Sequence, residues 1–447
     1  MRCAAAARSA YDLPALDGHA LDVGPLPAGR GVRVPLPRRS LSLIELSDLA
    51  LRNNPQTRVA WAQVKADAAA LGIAKAAYWP QIDASVSVQH IQSLSNTGSS
   101  GPAQTRYGPA ISLSYLLWDF GTRAGHRRSA QYVLLSARLA RSQTLQDVIL
   151  QVEQAYYLTQ GLAALVDADK KSLRGASESL SAARQRQEQG LATIGDVYQA
   201  RAAQAQARLI LQRDRGSLAA ARGSLAAAAG YPADTRLRLS PWREGGASAP
   251  AMPVKALLAH AHRARPELLA AKARELASLA DVRAVRGQGL PTLSLSGDVA
   301  QSWIAGVPGQ SGGGSYGVGA TLSIPLFAGF ADRYALQQAR AQAQQAQAST
   351  DVALRQVELE VWQAYQSVQT DAVTLKTSDT LLDNAQLAER VVRARYERGL
   401  DTILNLLTAQ ATLAAARAQK VQDLVNYYSD LGVLGHAAGG LPAAGGQ

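Results

Sequence analysis

The sequence predicts an α+β protein built from two equivalent repeats, each with two β-strands and very long helices. Pro55 recurs as Pro266 after 211 residues, and Tyr107 recurs as Tyr316 after 209 residues. A spacing held over most of a chain indicates two copies of one structural unit. Segments of period two and long proline-free stretches of helix-forming residues are the other observations that predict this class.

Composition and the repeat divide the chain into five segments. Residues 1–40 are rich in Pro, Gly and Ala and predict an extended N-terminal tail, and residues 41–232 form the first repeat. Residues 233–252 are a linker, residues 253–435 form the second repeat, and residues 436–447 are expected to be a flexible C-terminal tail.

Composition also narrows the class of protein. The net charge is +12, but the basic residues are scattered and no run of Lys or Arg exceeds two, so a nucleic-acid partner is not expected. No window of 18 apolar residues predicts a transmembrane helix. Cys3 is the only cysteine, so no internal disulfide or Cys-based metal site is expected. Arg2 precedes it and no apolar segment lies upstream, so neither lipidation of Cys3 nor a clear signal peptide is expected.

The first repeat begins with helices and continues with strands. Leu41–Asn53 predicts a short amphipathic helix, and Pro55 begins a second helix that runs to about Tyr78. The period then changes to two, which predicts strands at about 81–92 and 106–118. Between them, 93–104 has the composition of a loop.

The second repeat predicts strands at about 291–303 and 316–327, separated by a Gly-rich loop at 309–315. Four strands cannot close a sheet, and open strand edges are not tolerated in lipid. If these strands cross a membrane, several chains must therefore combine, and the Ser and Thr of one face are small enough to line a water-filled lumen. A soluble hairpin with one solvated face is the alternative.

Six aromatic side chains lie where strands meet helices. Amphipathic rings concentrate at membrane–water interfaces, so this placement predicts a membrane-interface belt. The belt residues are Tyr78, Trp79, Trp118, Phe120, Phe327 and Phe330.

Long helices follow the second strand of each repeat. Gly121–Gln189 and Phe330–Arg398 contain no proline and predict helices of about 100 Å at 1.5 Å per residue. The return helices are about half as long, so one long helix is matched by two short helices stacked end to end. Gly161 and Gly175 interrupt the first long helix and predict bends.

The turns between long and return helices have a specific pattern. Residues 395–410 read RYERGLDTILNLLTAQ, residues 186–200 are a weaker copy, RQEQGLATIGDVYQA, and 324–327 read IPLF before Gly329. Together these segments resemble the outer-membrane channel family typified by TolC and OprM, and the match extends from Leu41 to Gly435.

The resemblance implies a homotrimer in which four strands from each chain form a twelve-stranded β-barrel in the outer membrane of a Gram-negative bacterium. A long α-helical barrel would continue it into the periplasm, with the linker at 233–252 in an equatorial belt. It also implies a passive exit duct for a tripartite efflux or type I secretion system, with outer-membrane lipid, a periplasmic adaptor and an inner-membrane pump of the RND or ABC class as partners.

Drugs and other small molecules, as in multidrug resistance, are favoured over a secreted protein as cargo. No catalysis, cofactor or metal is implied, and no phosphate-binding loop or nucleophile elbow occurs in the sequence. A soluble periplasmic coiled-coil scaffold is the alternative function. It would explain the helices but not the repeated strands with their aromatic belts.

The resemblance places a periplasmic gate at the helix turns. In the type member, two aspartates one helical turn apart ring the closed entrance, and a tyrosine holds the inner helices together. Tyr396 matches that tyrosine, whereas Asn405 and Thr408 occupy the aspartate positions. Asp401 and Asp196 lie nearby as other sources of charge.

The same turns are the expected adaptor-docking surface. Tight reversals need a positive φ, which glycine adopts most readily, so Gly190 and Gly399 are predicted in the left-handed region. The predicted docking residues are Gly190, Leu191, Thr193, Gly399, Leu400 and Thr402.

Overall fold

The computed structural model describes residues 39–92, 103–241, 252–305 and 312–440. Most of the predicted N-terminal tail, most of both loops between paired strands, half of the linker and the last seven residues lie outside the described residues. No helix within the described ranges is both long enough and apolar enough to cross a membrane.

The two repeats have the same order of elements. The first repeat contains α1 (Leu43–Asn53), α2 (Pro55–Ala76), β1 (Gln81–Ile91), β2 (Gln104–Trp118), α3 (Thr122–Glu188) and α4 (Ile194–Ala228). The second contains α5 (Val254–Ala264), α6 (Pro266–Gln288), β3 (Thr292–Ala305), β4 (Gly313–Ser323), α7 (Ala331–Glu397) and α8 (Ile403–Ala437). Each element begins 211 or 209 residues after its counterpart, which confirms that the halves are structurally equivalent.

Three predicted boundaries are wrong. Strand β4 begins at Gly313 rather than at 316, because glycines assigned to the loop continue the ladder with β3. It ends at Ser323 rather than at 327, just before Pro325, which lacks the N–H that a ladder needs. At the C-terminus, α8 continues to Ala437 and Ala438 is fully buried, so the predicted tail at 436–447 begins too early.

The four strands form one antiparallel sheet in the order β1-β2-β3-β4. Ile82 pairs with Leu113 in the first hairpin, and Leu293 pairs with Leu322 in the second, so the registers are equivalent. Among the described residues, strands β1 and β4 each have one neighbouring strand, which leaves both outer edges of this sheet open.

Paired residues of an antiparallel sheet point to the same side, and the register therefore defines two faces. The predicted alternation is confirmed. One face contains Ile82, Val86, Val88, Ile111, Leu113, Leu295, Val299, Val318 and Leu322. The other contains Asp83, Ser85, Ser87, Ser112, Ser114, Ser294, Ser296, Asp298 and Thr321.

Helices α3 and α7 have 67 residues each and are therefore about 100 Å long. Near the sheet, helices follow the order α2-α3-α6-α7, and beyond the middle they follow α4-α3-α8-α7. Helix α3 continues through Gly161 and Gly175. A Cβ at Gly161 would lie 2.1 Å from the Val425 methyl carbon of α8, so close helix contact explains this glycine where the sequence suggested a bend.

Small apolar clusters hold these helices together. One cluster packs α1 and the end of α4 against Val148 and Val152 of α3. Its equivalent packs α5 and the end of α8 against Val357 and Val361 of α7. Both clusters lie near the middle of the long helices, where the short helices α1 and α5 pack against them.

Candidate functional site

The helix tips, residues 189–193 and 398–402, join α3 to α4 and α7 to α8. Gly190 and Gly399 have φ values of 74° and 75°, which confirms the predicted left-handed conformation. In each tip the residue after the glycine donates its N–H five residues back, as Leu191 does to the Arg186 carbonyl at 2.8 Å. The left-handed glycine and this hydrogen bond together end each long helix in a Schellman motif.

The first tip is closed by a reciprocal cap. The Thr193 N–H donates to the Asp196 carboxylate at 2.7 Å, and the Asp196 N–H donates to the Thr193 hydroxyl at 3.3 Å. This capping box stabilises the start of α4 and commits the Asp196 carboxylate to the backbone of its own helix.

The second tip places its carboxylate differently. Asp401 accepts the Thr402 N–H at 2.9 Å and the Asn405 amide at 2.6 Å, and its other oxygen lies 3.3 Å from Arg395 Nε. These hydrogen bonds, the Asn405 amide first, lower the pKa of Asp401. Asp401 is therefore ionised but locally compensated, and the Thr408 hydroxyl donates to the Leu404 carbonyl of its own helix.

Polar contacts join the α3/α4 pair to the α7/α8 pair just above the tips. Tyr396 is 5% exposed, and the Arg186 guanidinium lies 4.8 Å from its ring centre while donating to its carbonyl. Arg393 of α7 bridges Glu389 of its own helix and Glu178 of α3, at 3.5 Å from the latter. The arrangement brings Tyr396 into a buried contact between pairs, while Asn405 and Thr408 remain exposed.

The tips present apolar side chains to solvent. Leu191 and Leu400 are 67% and 66% exposed, and Tyr198 and Leu404 are also exposed. Exposed apolar groups around two rigid turns form a surface suited to contact with another protein. The predicted docking residues are therefore brought together at one end of the molecule, although their docking role stays a prediction.

The aromatic belt residues lie at the opposite end of the long helices. Trp118 contacts Phe120 edge to face at 6.0 Å, and Phe327 contacts Phe330 in the same way at 5.4 Å. Trp79 is 73% exposed. Five of the six rings are thus exposed at the junctions between strands and helices, as an interface belt requires. Tyr78 differs, because it packs under Arg123 at 4.9 Å.

Phe120 and Phe330 have positive φ values of 48° and 65°, which are uncommon for residues other than glycine. In each repeat the phenylalanine adjoins a glycine that is also left-handed, Gly121 or Gly329. The two left-handed residues occupy equivalent positions in the repeats, with Phe and Gly in exchanged order, which indicates that the direction of entry into α3 and α7 is tightly constrained.

A buried acidic pair between α3 and α4 was not anticipated from the sequence. Asp169 and Asp214 are 8% and 6% exposed and line a cavity of about 660 Å³ between the two helix pairs. Burial, together with the adjoining Asp214 carboxyl, raises the pKa of Asp169 to about 6, and Arg213 opposes this effect. The sequence did contain a signal for this pair, because both aspartates occupy positions of their helices where apolar residues otherwise recur. Among the described residues, no group of three or more potential metal ligands occurs.

We expect the stability of α3 and α4 around this pair to fall as the pH rises from 4 to about 6. The folded-state pKa of Asp169 lies above its unfolded value, so folding binds a proton that is lost in this range. Protection factors of both helices, which correct the hydrogen-exchange rates for the base-catalysed intrinsic rate, should be larger at pH 5 than at pH 7. Asp169→Asn should remove the difference, and an unchanged pH dependence in that variant would contradict the assignment.

A sheet with one apolar and one polar face, open at both edges and continued by helices of about 100 Å, defines the subunit of a membrane channel with a long extramembrane tube. Residues 46–231 and 257–440 match the family described as Outer membrane efflux protein. The chain belongs to this family, whose members are channels and not enzymes.

Individual relatives agree with this assignment. Protein CyaE of Bordetella pertussis (strain Tohama I) is 31% identical over 383 residues, which cover 85% of this chain and 80% of that protein. Toluene efflux pump outer membrane protein TtgF of Pseudomonas putida is 28% identical over 410 residues, which cover 89% and 82% of the two proteins.

Solved structures share the fold. The outer-membrane channel OprN superimposes with a TM-score of 0.80 at 24% identity, over 89% of this chain and 90% of OprN. A membrane protein from Pseudomonas aeruginosa gives 0.79 at 25% identity, over 89% and 93%. The predicted fold class is confirmed: the chain contributes four strands to a trimeric outer-membrane β-barrel that continues as a helical barrel in the periplasm.

Proposed function

We propose that this chain is the passive exit duct of a tripartite assembly, in which a periplasmic adaptor links it to an inner-membrane RND or ABC pump. The observation that supports this most is the two-faced sheet. Val86 and Val318 of its apolar face are 80% and 81% exposed, whereas Ser and Thr occupy the opposite face. In a closed ring the apolar face contacts outer-membrane lipid and the polar face lines a water-filled lumen.

The helix tips are the proposed adaptor-docking surface and gate. Leu191 and Leu400 offer apolar contacts, and the rigid glycine turns fix their positions. Contacts such as Arg393 with Glu178 hold the two helix pairs together, so opening requires that these contacts separate. The entrance lacks the paired acidic rings, because Asn405 and Thr408 occupy those positions.

Small molecules are the proposed cargo. Relatives are named as toluene, antibiotic and solvent efflux proteins, which supports this preference over a secreted protein. A strain that lacks the gene should accumulate apolar solvents and antibiotics. Unchanged accumulation together with loss of a secreted protein would overturn the preference.

The assembly is tested by fractionation and mass. The protein should be found in the outer membrane, and mass measurement in mild detergent should give three times 47.1 kDa. Two open edges per chain can be satisfied only by neighbouring copies. A soluble, monodisperse monomer with intact strands would instead indicate the periplasmic scaffold.

A further inference from the structure

The part of each chain that the structure describes has two sides, along its length, that border no further element. One consists of β1, α2 and α4, and the other of β4 and α7. Within the chain, the repeats meet through β2 with β3, α3 with α6, and α3 with α8. We infer that Gly216 of one protomer receives Thr370 of the next, in a contact equivalent to the one between Gly161 and Val425 of the two repeats.

The strand register supports this equivalence. Leu113 pairs with Gly297 where β2 meets β3. The equivalent of Leu113 in the second repeat is Leu322 of β4, 209 residues later. The equivalent of Gly297 in the first repeat is Val86 of β1, 211 residues earlier, so Leu322 would lie opposite Val86 of the adjacent protomer. Both residues belong to the apolar face, and the neighbouring pair from Ser112 and Asp298 becomes Thr321 opposite Ser87 on the polar face. A register error of one residue would have placed apolar against polar positions.

The helices add a specific packing contact. Gly161 of α3 faces Val425 of α8, and a Cβ at Gly161 would clash with the valine methyl group. The equivalent of Gly161 in the second repeat is Thr370 of α7, 209 residues later. The equivalent of Val425 in the first repeat is Gly216 of α4, 209 residues earlier, and it belongs to the adjacent protomer in this contact. The small and large residues have exchanged helices, so the same close helix approach remains possible.

Among the described residues, no contact within one chain explains Gly216. It lies in the interior of α4, where glycine destabilises a helix, and nothing lies within 4 Å of its Cβ position. Thr370 is likewise exposed on the outer side of α7. A partner that approaches closely at this point explains both observations.

The positions seven residues after Val425 and Gly216, which are Gly432 of α8 and Gly223 of α4, are consistent with this contact. Leu150 and Glu153 of α3 face Gly432 of α8, with the Leu150 methyl carbon 3.5 Å from the Cβ position. Their equivalents on α7, Leu359 and Trp362, are 48% and 50% exposed. The equivalent of Gly432 is Gly223 of α4, which is covered on one side only, by Ala233 of its own chain at 3.4 Å.

The inference rests on the ring assembly proposed above, and disulfide trapping tests it separately. In a Cys3→Ser background, Thr370→Cys combined with Gly216→Cys should give a covalent trimer on mild oxidation that reductant dissolves. Thr370→Cys with Gly223→Cys is the matched control and should not crosslink, because the second position lies about 10 Å along the helix. Each single variant should also remain uncrosslinked.

Exchange of the two side chains provides a second measurement. Gly216→Val should reduce the trimer yield, and Gly216→Val with Thr370→Gly should restore it by recreating the Gly161–Val425 arrangement. Ser217→Val is the control, because it lies about 100° around the same helix. A trimer by mass that neither crosslinks at 216–370 nor responds to Gly216→Val would overturn this contact and leave the ring intact. A monomer would overturn both.

Discussion

Val86→Arg is expected to abolish assembly in the outer membrane, whereas Ser85→Arg should leave assembly intact. Val86 lies on the apolar face of edge strand β1 and is 80% exposed in one chain, so in the ring it faces lipid. A cationic side chain there costs about 2–4 kcal/mol near the bilayer midplane, and the trimer contains three copies. The yield of trimer in outer-membrane fractions and unfolding by urea in lipid vesicles measure the effect.

Leu322 and Ser323 provide a matched pair on the opposite edge strand. Leu322→Arg should resemble Val86→Arg, because both residues lie on the apolar face, and Ser323→Arg should resemble Ser85→Arg. If charge were tolerated equally on both faces, the sheet would not lie in a bilayer, and the channel proposal would lose its main support.

The second large effect concerns the entrance. Channels in planar bilayers should be blocked only weakly by trivalent cations added from the periplasmic side. Asn405→Asp with Thr408→Asp should lower the half-blocking concentration by about tenfold or more, because two rings of carboxylates concentrate a negative field in a narrow opening. The block should weaken at high ionic strength.

The structure explains why the native tip should bind such cations weakly. Asp401 is held by the Asn405 amide at 2.6 Å and compensated by Arg395, and Asp196 caps its own helix. Thr408→Asn, which adds an uncharged side chain of the same shape and keeps the Asn405 amide on Asp401, is the matched control and should leave the block weak. Strong block of the unmodified channel would mean that Asp401 or Asp196 already forms the anionic ring.

Local sequence patterns determined the repeats, the two hairpins, the long helices and the glycine turns. Alternation in β1 and the long proline-free stretch of α3 depend on residues close in sequence, so they can be recognised without tertiary information. The positive φ of Gly190 and Gly399 followed in the same way, because a reversal between two helices requires a backbone that glycine adopts at little cost.

The tertiary structure decided what depends on residues distant in sequence. Gly161 suggested a bend until Val425 was placed against it, and Asp169 could not be paired with Asp214 before α3 and α4 were packed together. Ladder pairing with β3 extended β4 back to Gly313. At the tips the sequence indicated which carboxylates were present, whereas only the folded turns showed that Asp401 and Asp196 are engaged in local hydrogen bonds. Hydrogen bonds of this kind depend on side-chain position to within a fraction of an ångström, which residue spacing alone does not specify.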